Sequence, residues 1–355
     1  MRNRSTGGAL ACILLLGIGV TGCSSGAPVS EVRGSLTAIG TPVQKDPIGA
    51  WSNAWSKDLT ATSLNYSPDG SNVGLTALAT RQAYFAALDG PLSPEQQNQT
   101  KDVCGPAGAF SVPVSVTSIG VALNNPSLRN VKLSREVLAG IFSGSITRWD
   151  APEIADINPG TALPSDDIAP IMATEPSVET EAATKYLSAD AAWTSGVSAT
   201  WPKTENDNAV TVKKHSDLAD KVDKTPGGIA FMDLGSIGSR FETALLSFGG
   251  GYVRMSKDSA ATAAQEGSTR TLPTGVEFAL PETSEQGYAL GVVGYQAFCS
   301  EYSNHQLSTL VKSWGEFVLS PDGQVTSAYF ANVASPSEAA MRESKKLIDT
   351  IGDAQ

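Results

Sequence analysis

The sequence predicts an α/β protein of two domains, on three observations. Short runs of Val, Ile, Ala and Phe alternate with segments of helical periodicity, the pattern of strands interleaved with helices. At 355 residues the chain is longer than one hydrophobic core ordinarily serves. Its 34 glycines and 20 prolines follow no fixed period, which excludes a collagen-like rod and suits many strand-to-helix turns. A hydrophobic content of 41% with 17% charged residues excludes wholesale disorder. The net charge of −11 offers no broad positive field, so nucleic acid is not an expected partner.

The amino terminus stands apart from the fold. Arg2 and Arg4 precede an apolar run from Ala9 to Val20. That run is shorter than the ~20 residues a spanning helix needs, so residues 1–22 read as a signal peptide. Val20-Thr21-Gly22-Cys23 resembles the bacterial lipobox, which implies a lipid on Cys23 and cleavage just before it. Residues 23–34 are then the lipidated cysteine and a flexible Ser/Gly/Pro tether. The expected location is the extracytoplasmic side of the cell membrane, anchored by lipid.

The elements follow in order. Ser35–Ile39, Ser63–Tyr66 and Ala83–Leu88 read as strands. Between them, Pro47–Lys57 reads as a helix with Ile48, Trp51 and Trp55 on one face, and a short helix starts at Ser71. Ser93-Pro94-Glu95-Gln96 has the composition of a capping box. Val112–Leu123 is extended, and Ser134 caps a helix that buries Val137, Leu138, Ile141 and Phe142. Ile168–Ala173 is a strand, Glu179–Leu187 a helix, Gly228–Met232 a strand and Tyr252–Lys257 extended. Gly249-Gly250-Gly251 and the Ser/Ala/Thr-rich stretch near residue 260 read as loop. Leu307, Leu310, Val311, Trp314, Phe317 and Val318 share a helical face, and Ser335-Pro336-Ser337-Glu338 opens the last helix with a capping box.

Little in the sequence speaks for catalysis. No HExxH, GxSxG, P-loop or GxGxxG is present, so neither an enzyme, a cofactor nor a metal site is expected. His215 reads as solvated, and His305 as a first-turn residue. Cys12 leaves with the leader; in an exported chain Cys104 and Cys299 either pair or stay as buried thiols. The legible constellation is three turns into helices: Gly70-Ser71, Asp89 and Pro176-Ser177. Helix amino-terminal N–H groups with serine hydroxyls hold a small oxyanion; each residue alone also serves as a plain cap or strand end.

The segment Leu133 to Asp150, with Gly144-Ser145-Ile146 and Trp149 followed by Pro152, Ile154, Asn158-Pro159-Gly160 and Leu163-Pro164, resembles the PstS-type phosphate-binding proteins. Asn65 to Ser71 looks like that family's Y-x-x-x-G-S turn, and Asp89-Gly90-Pro91-Leu92-Ser93 like its D-x-P-L-S. The resemblance covers roughly Ser35 to Ile351. It implies a two-lobed periplasmic-binding-protein fold of type II, each lobe a mixed sheet flanked by helices, with two crossover strands as hinge. The crossings fall near Phe110–Pro113 and Gln286–Tyr288, giving one lobe of residues 35–112 plus 287–355 and another of 113–286. It further implies a Cys104–Cys299 disulfide, phosphate as ligand, and ABC permease subunits as partners.

By the same resemblance the ligand set is Thr41, Gly70, Ser71, Asp89, Ser177 and Glu179. The family's loop R-x-D-x-S-G-T here reads Ala173-Thr174-Glu175-Pro176-Ser177-Val178-Glu179. The guanidinium is gone, the glycine is Val178, and Glu179 brings a carboxylate. The expected function is therefore an extracytoplasmic solute-binding lipoprotein of a phosphate-type ABC import system. The alternative is a family member that binds phosphate weakly or not at all, and takes another ligand or acts through protein contacts.

Overall fold

In the computed structural model, residues 32–354 are described. The expected signal peptide, Cys23 and most of the expected tether lie outside the described residues. No described helix is long and apolar enough to cross a membrane.

The chain makes three passes. The first is β1 (Gly34–Gly40), α1 (Lys45–Asp58), β2 (Thr62–Ser67), α2 (Ser71–Ala79), β3 (Phe85–Leu88), α3 (Pro94–Gln99) and α4 (Lys101–Cys104). It leaves along β4 (Ala109–Leu123). The second pass runs β5 (Lys132–Leu133), α5 (Arg135–Ser143), α6 (Pro152–Ile157), β6 (Ala169–Ala173), α7 (Val178–Leu187), β7 (Val210–Val212), α8 (Leu218–Asp223) and β8 (Gly228–Asp233). It ends with α9 (Leu234–Ile237), β9 (Glu242–Thr243), β10 (Leu245–Ser247), β11 (Tyr252–Val253), α10 (Lys257–Glu266), β12 (Ser268–Leu272) and β13 (Gly275–Ala279). The chain returns through β14 (Gly291–Cys299) and closes with β15 (Glu301–Tyr302), α11 (His305–Val318), α12 (Pro321–Phe330), α13 (Glu338–Asp349) and β16 (Gly352–Asp353).

Two large hydrophobic cores result, with a small third cluster of Val116, Ala260, Ala264, Val276, Phe278, Ala334 and Ala340 beside them. One gathers Leu36, Trp51, Trp55, Phe85, Phe298 and Trp314 from the first and last passes. The other gathers Val121, Phe142, Trp149, Ile171, Leu187 and Phe231 from the second. All fifteen residues of β4 are buried, and the strand passes from one core to the other: Val112 and Val114 lie in the first, Ile119 and Val121 in the second. Its antiparallel partner β14 returns the same way, with Val292 in the second core and Tyr295 in the first. The ladder slips register between Gly294 and Tyr295, opposite Pro113. Proline has no N–H for a ladder, and a bulge is where a sheet tolerates it.

Around this pair the sheet runs β2-β1-β3-β14-β4-β8-β6-β7. β1 pairs in parallel with both β2 and β3, so the carboxyl ends of all three strands share one edge. The order 2-1-3 is a switch point, where open α/β sheets leave a crevice for ligand. Gly74 lets α2 pack tightly there: a Cβ on it would meet the Ile39 carbonyl oxygen at 2.3 Å. Cys104 and Cys299 are joined, with Cα atoms 4.5 Å apart, tying the end of α4 to the end of β14.

Four expectations need correction. The small-residue stretch near 260 is helix, α10, capped by Ser256. Its face of Ala260, Ala263 and Ala264 looks weakly apolar, yet it packs where bulk would not fit; Gly287 already brings a would-be Cβ to 2.6 Å from the Ala263 nitrogen. The extended piece from Tyr252 therefore stops at Val253. The last helix is capped by Ser337, whose hydroxyl accepts from the Ala340 N–H at 3.2 Å, and no reciprocal box forms there. His215 is not solvated: the turn His215–Asp217 packs on β6, and both ring nitrogens are buried without a hydrogen-bond partner. Beyond these, α12 escapes periodicity because its inward face is Gly323, Gln324 and Ser327, while Val325, Tyr329 and Phe330 point outward.

Candidate functional site

A cavity of about 490 Å³ lies where β14 passes between the two cores. From the carboxyl edge of β1, β2 and β3, Asp89, Gly90 and Pro91 line it, while Thr41, Gly70 and Ser71 do not; Thr41 and Ser71 instead support Asp89. Thr41 follows β1, almost wholly buried, and its hydroxyl accepts from the Val43 N–H at 3.3 Å. The Tyr66 hydroxyl donates to the Thr41 carbonyl at 2.6 Å. Gly70, at φ 105°, turns the chain into α2 and donates its N–H to the Gly40 carbonyl at 2.7 Å. That left-handed conformation favours glycine, which has no Cβ to clash. Ser71, the first residue of α2, donates to Asp89 Oδ2 at 2.6 Å, and its oxygen accepts the Asp89 N–H at 3.0 Å.

Asp89 lines the cavity, and its other oxygen, Oδ1, is buried without a hydrogen-bond partner. Burial pushes its carboxyl above the ordinary range, and the Ser71 and Thr41 hydroxyls pull it back. Burial also raises the Tyr66 phenol, with the Asp89 and Asp69 charges adding to it. Thr41, Gly70, Ser71 and Asp89 are thus brought together. The unfilled lone pairs at Oδ1 call for a donor from a ligand.

The facing wall comes from α5 and α7, which pack on each other. Arg135 begins α5, just after the Ser134 cap. Its Nη2 donates to the Glu282 carbonyl at 3.0 Å, and its guanidinium carbon stands 4.8 Å from the centroid of the Tyr186 ring. Tyr186 donates to the Ser247 carbonyl at 3.0 Å; burial raises its phenol, and the nearby Arg135 charge opposes that. Lys185 and Glu181 line the same side, both exposed.

Ser177 and Glu179 do not line the cavity; from their loop, Val178 does. The Ser177 hydroxyl caps α7, accepting from the Thr180 N–H at 3.0 Å, and bonds the Thr180 hydroxyl at 3.1 Å. Ala173 is buried at the end of β6. Sequence reasoning missed Arg135. One signal was present: a cation in the first turn opposes the helix dipole, so it asks for another reason. Among the described residues no group of three or more His, Cys, Asp and Glu is arranged to hold a metal.

Two lobes joined by two strands, with a polar-walled cavity between the cores, define a solute-binding protein. The comparisons give the family. Residues 25–322 match the model of the PBP superfamily domain, and the chain belongs to that superfamily. It is 27% identical over 305 residues to the phosphate-binding protein PstS 3 of Mycobacterium leprae, covering 83% of this chain and 81% of that one. It is 25% identical over 313 residues to PstS 2 of Mycobacterium tuberculosis, covering 84% and 83%. The fold is like that of a high-affinity periplasmic phosphate-binding protein solved with phosphate bound, at a TM-score of 0.68 and 17% identity over 91% of this chain and 99% of that one. A phosphate-binding protein from Stenotrophomonas maltophilia superposes with a TM-score of 0.62 at 18% identity, over 88% and 94%.

Proposed function

We propose that this chain is the lipid-anchored, extracytoplasmic binding component of an ABC importer for a phosphate-type oxyanion. The observation that carries the reading is Asp89 at the cavity edge, a buried carboxylate with Oδ2 satisfied by Ser71 and Oδ1 without a partner. A carboxylate only accepts hydrogen bonds, so an anion approaches it at low cost only by bringing its own proton. The relatives named as phosphate-binding proteins agree with this chemistry. In this reading, with the crossings themselves between Val114 and Ile119 of β4 and between Val292 and Tyr295 of β14, where the strands change core, residues 35–112 with 287–355 form broadly one lobe and 113–286 the other. They close about β4 and β14, and the bulge at Gly294–Tyr295 is the natural place for the bend. Ala173 brings no cation to the loop after β6, so bare inorganic phosphate binds weakly.

The test is titration calorimetry with phosphate and with sulfate at pH 7. Phosphate, which carries a proton there, is expected to bind, and sulfate, which carries none, to be rejected. Equal binding of the two, or heat from neither, overturns the reading.

A further inference from the structure

Arg135 is held in the cleft wall with its charge unpaired. Its Nε is buried and has no hydrogen-bond partner. It makes no ion pair among the described residues. A buried N–H left unmade costs about 1–3 kcal/mol, and the positive end of α5 adds to the cost of a cation there. The carbonyl of Glu282 and the ring of Tyr186 hold the guanidinium in place without neutralising it. The charge cost is offset when an anion occupies the cavity that Arg135 lines.

The cavity is also larger than a bare oxyanion. Its 490 Å³ falls among the ~300–1,000 Å³ pockets that enclose small organic molecules. At this separation of the lobes a four-oxygen ion, with the bulk of two or three waters at ~30 Å³ each, would leave most of it unfilled; closure shrinks that space, and the lining is what marks room for a substituent. Much of the lining is apolar: Val178, Leu280, Pro281 and Val293 are half-buried, and Phe278 is buried behind them. The carboxylates of Glu181 and Glu282 are exposed, where solvent and salt screen them from a ligand at Arg135.

We propose that Arg135 anchors an organic oxyanion, of the phosphate monoester class, whose substituent lies against Val178, Leu280, Pro281 and Val293. This rests on the reading of the cleft as an oxyanion site and names its ligand class. Arg135 stands in for the guanidinium absent at Ala173, from a different helix. Its planar fork suits two oxygens of one anion.

The probes are inorganic phosphate and phenyl phosphate, titrated at about pH 5, where each carries a proton for Asp89, into the full chain and its Arg135→Gln and Arg135→Lys variants. Phenyl phosphate is expected to bind at least ~10-fold more tightly than inorganic phosphate, a gain of about 1.4 kcal/mol. Arg135→Gln should weaken both by at least ~10-fold, and Arg135→Lys should recover part of the loss, since it keeps the charge without the fork. Thermal melting of the ligand-free variants separates loss of the site from loss of the fold. Inorganic phosphate binding as tightly as the monoester, or an Arg135→Gln variant binding like the parent, overturns the inference. In those cases a preference for phosphate over sulfate can persist, and the oxyanion reading then stands without this anchor. If the parent chain takes up neither probe, both readings fall.

Discussion

The two walls of the cleft are made in different ways. The Asp89 wall is assembled from turns at the carboxyl ends of three adjacent parallel strands, and its groups bond one another: Ser71 to Asp89 in both directions, Tyr66 to Thr41. The Arg135 wall is assembled from two helices, α5 and α7, and its cation has no anionic partner. The first wall is an acceptor closed on itself except for one oxygen. The second is a donor that is positioned and left open. A site of this kind binds by supplying an accepting and a donating side to one ligand, and the lobes can be perturbed separately.

The largest expected effect separates the lobes. Cys104 and Cys299 lie in the core behind the Asp89 wall, and the disulfide closes a separation of 195 residues. Replacing both with serine should destabilise that lobe by about 2–5 kcal/mol. The Arg135 lobe has no cross-link of its own among the described residues. The expected outcome in calorimetric melting is a broadened or split transition, with the lobe of Trp51 and Trp314 unfolding first. A single transition shifted without broadening would show that the two cores unfold as one unit.

Asp89→Asn sharpens the acceptor wall. Burial raises the carboxyl of the folded state, so the fold holds the Asp89 proton more tightly than the unfolded chain does. The penalty for ionising it is therefore present in full above the folded pKa and absent below the ordinary value of 3.8. Asp89→Asn should raise stability at pH 7 on the order of 1 kcal/mol, with the gain fading as pH falls towards that ordinary value. The same variant should narrow the phosphate-over-sulfate preference, since a neutral amide repels no anion. Denaturant titrations from pH 3 to 8 check the first claim, and competition with sulfate the second. A stability gain that grows at low pH would reverse the sign and refute the account.

The smallest effect is on the donor wall. Lys185 lines the cavity but is exposed and makes no ion pair among the described residues. Its removal in Lys185→Ala should cost no more than about 1 kcal/mol of ligand affinity, a few-fold, and less as salt is added. Affinity measured across ionic strength checks this. A loss as large as that of Arg135→Gln would mean that Lys185, rather than Arg135, is the anchoring cation.

Much of this molecule was legible from residues alone, and the reason is locality. Helix faces such as Leu310, Val311, Trp314 and Val318, and caps such as Ser93 and Ser134, depend on neighbours within a few positions. Gly70, Ser71 and Asp89 were legible too, because each marks the end of its own strand or the start of its own helix. The same locality hid α10 and α12, whose buried faces of Ala, Gly, Gln and Ser carry no apolar period. Only the tertiary structure decided that those small faces are core, because the closeness of a neighbouring backbone is not written in the helix that must accommodate it. It likewise decided the donor wall. Arg135 and Tyr186 sit more than fifty positions apart in sequence and meet only because α5 packs on α7. The sequence determined by itself that an acceptor stands at the end of β3. What faces it across the cleft follows from how two distant helices pack, and no local pattern encodes that.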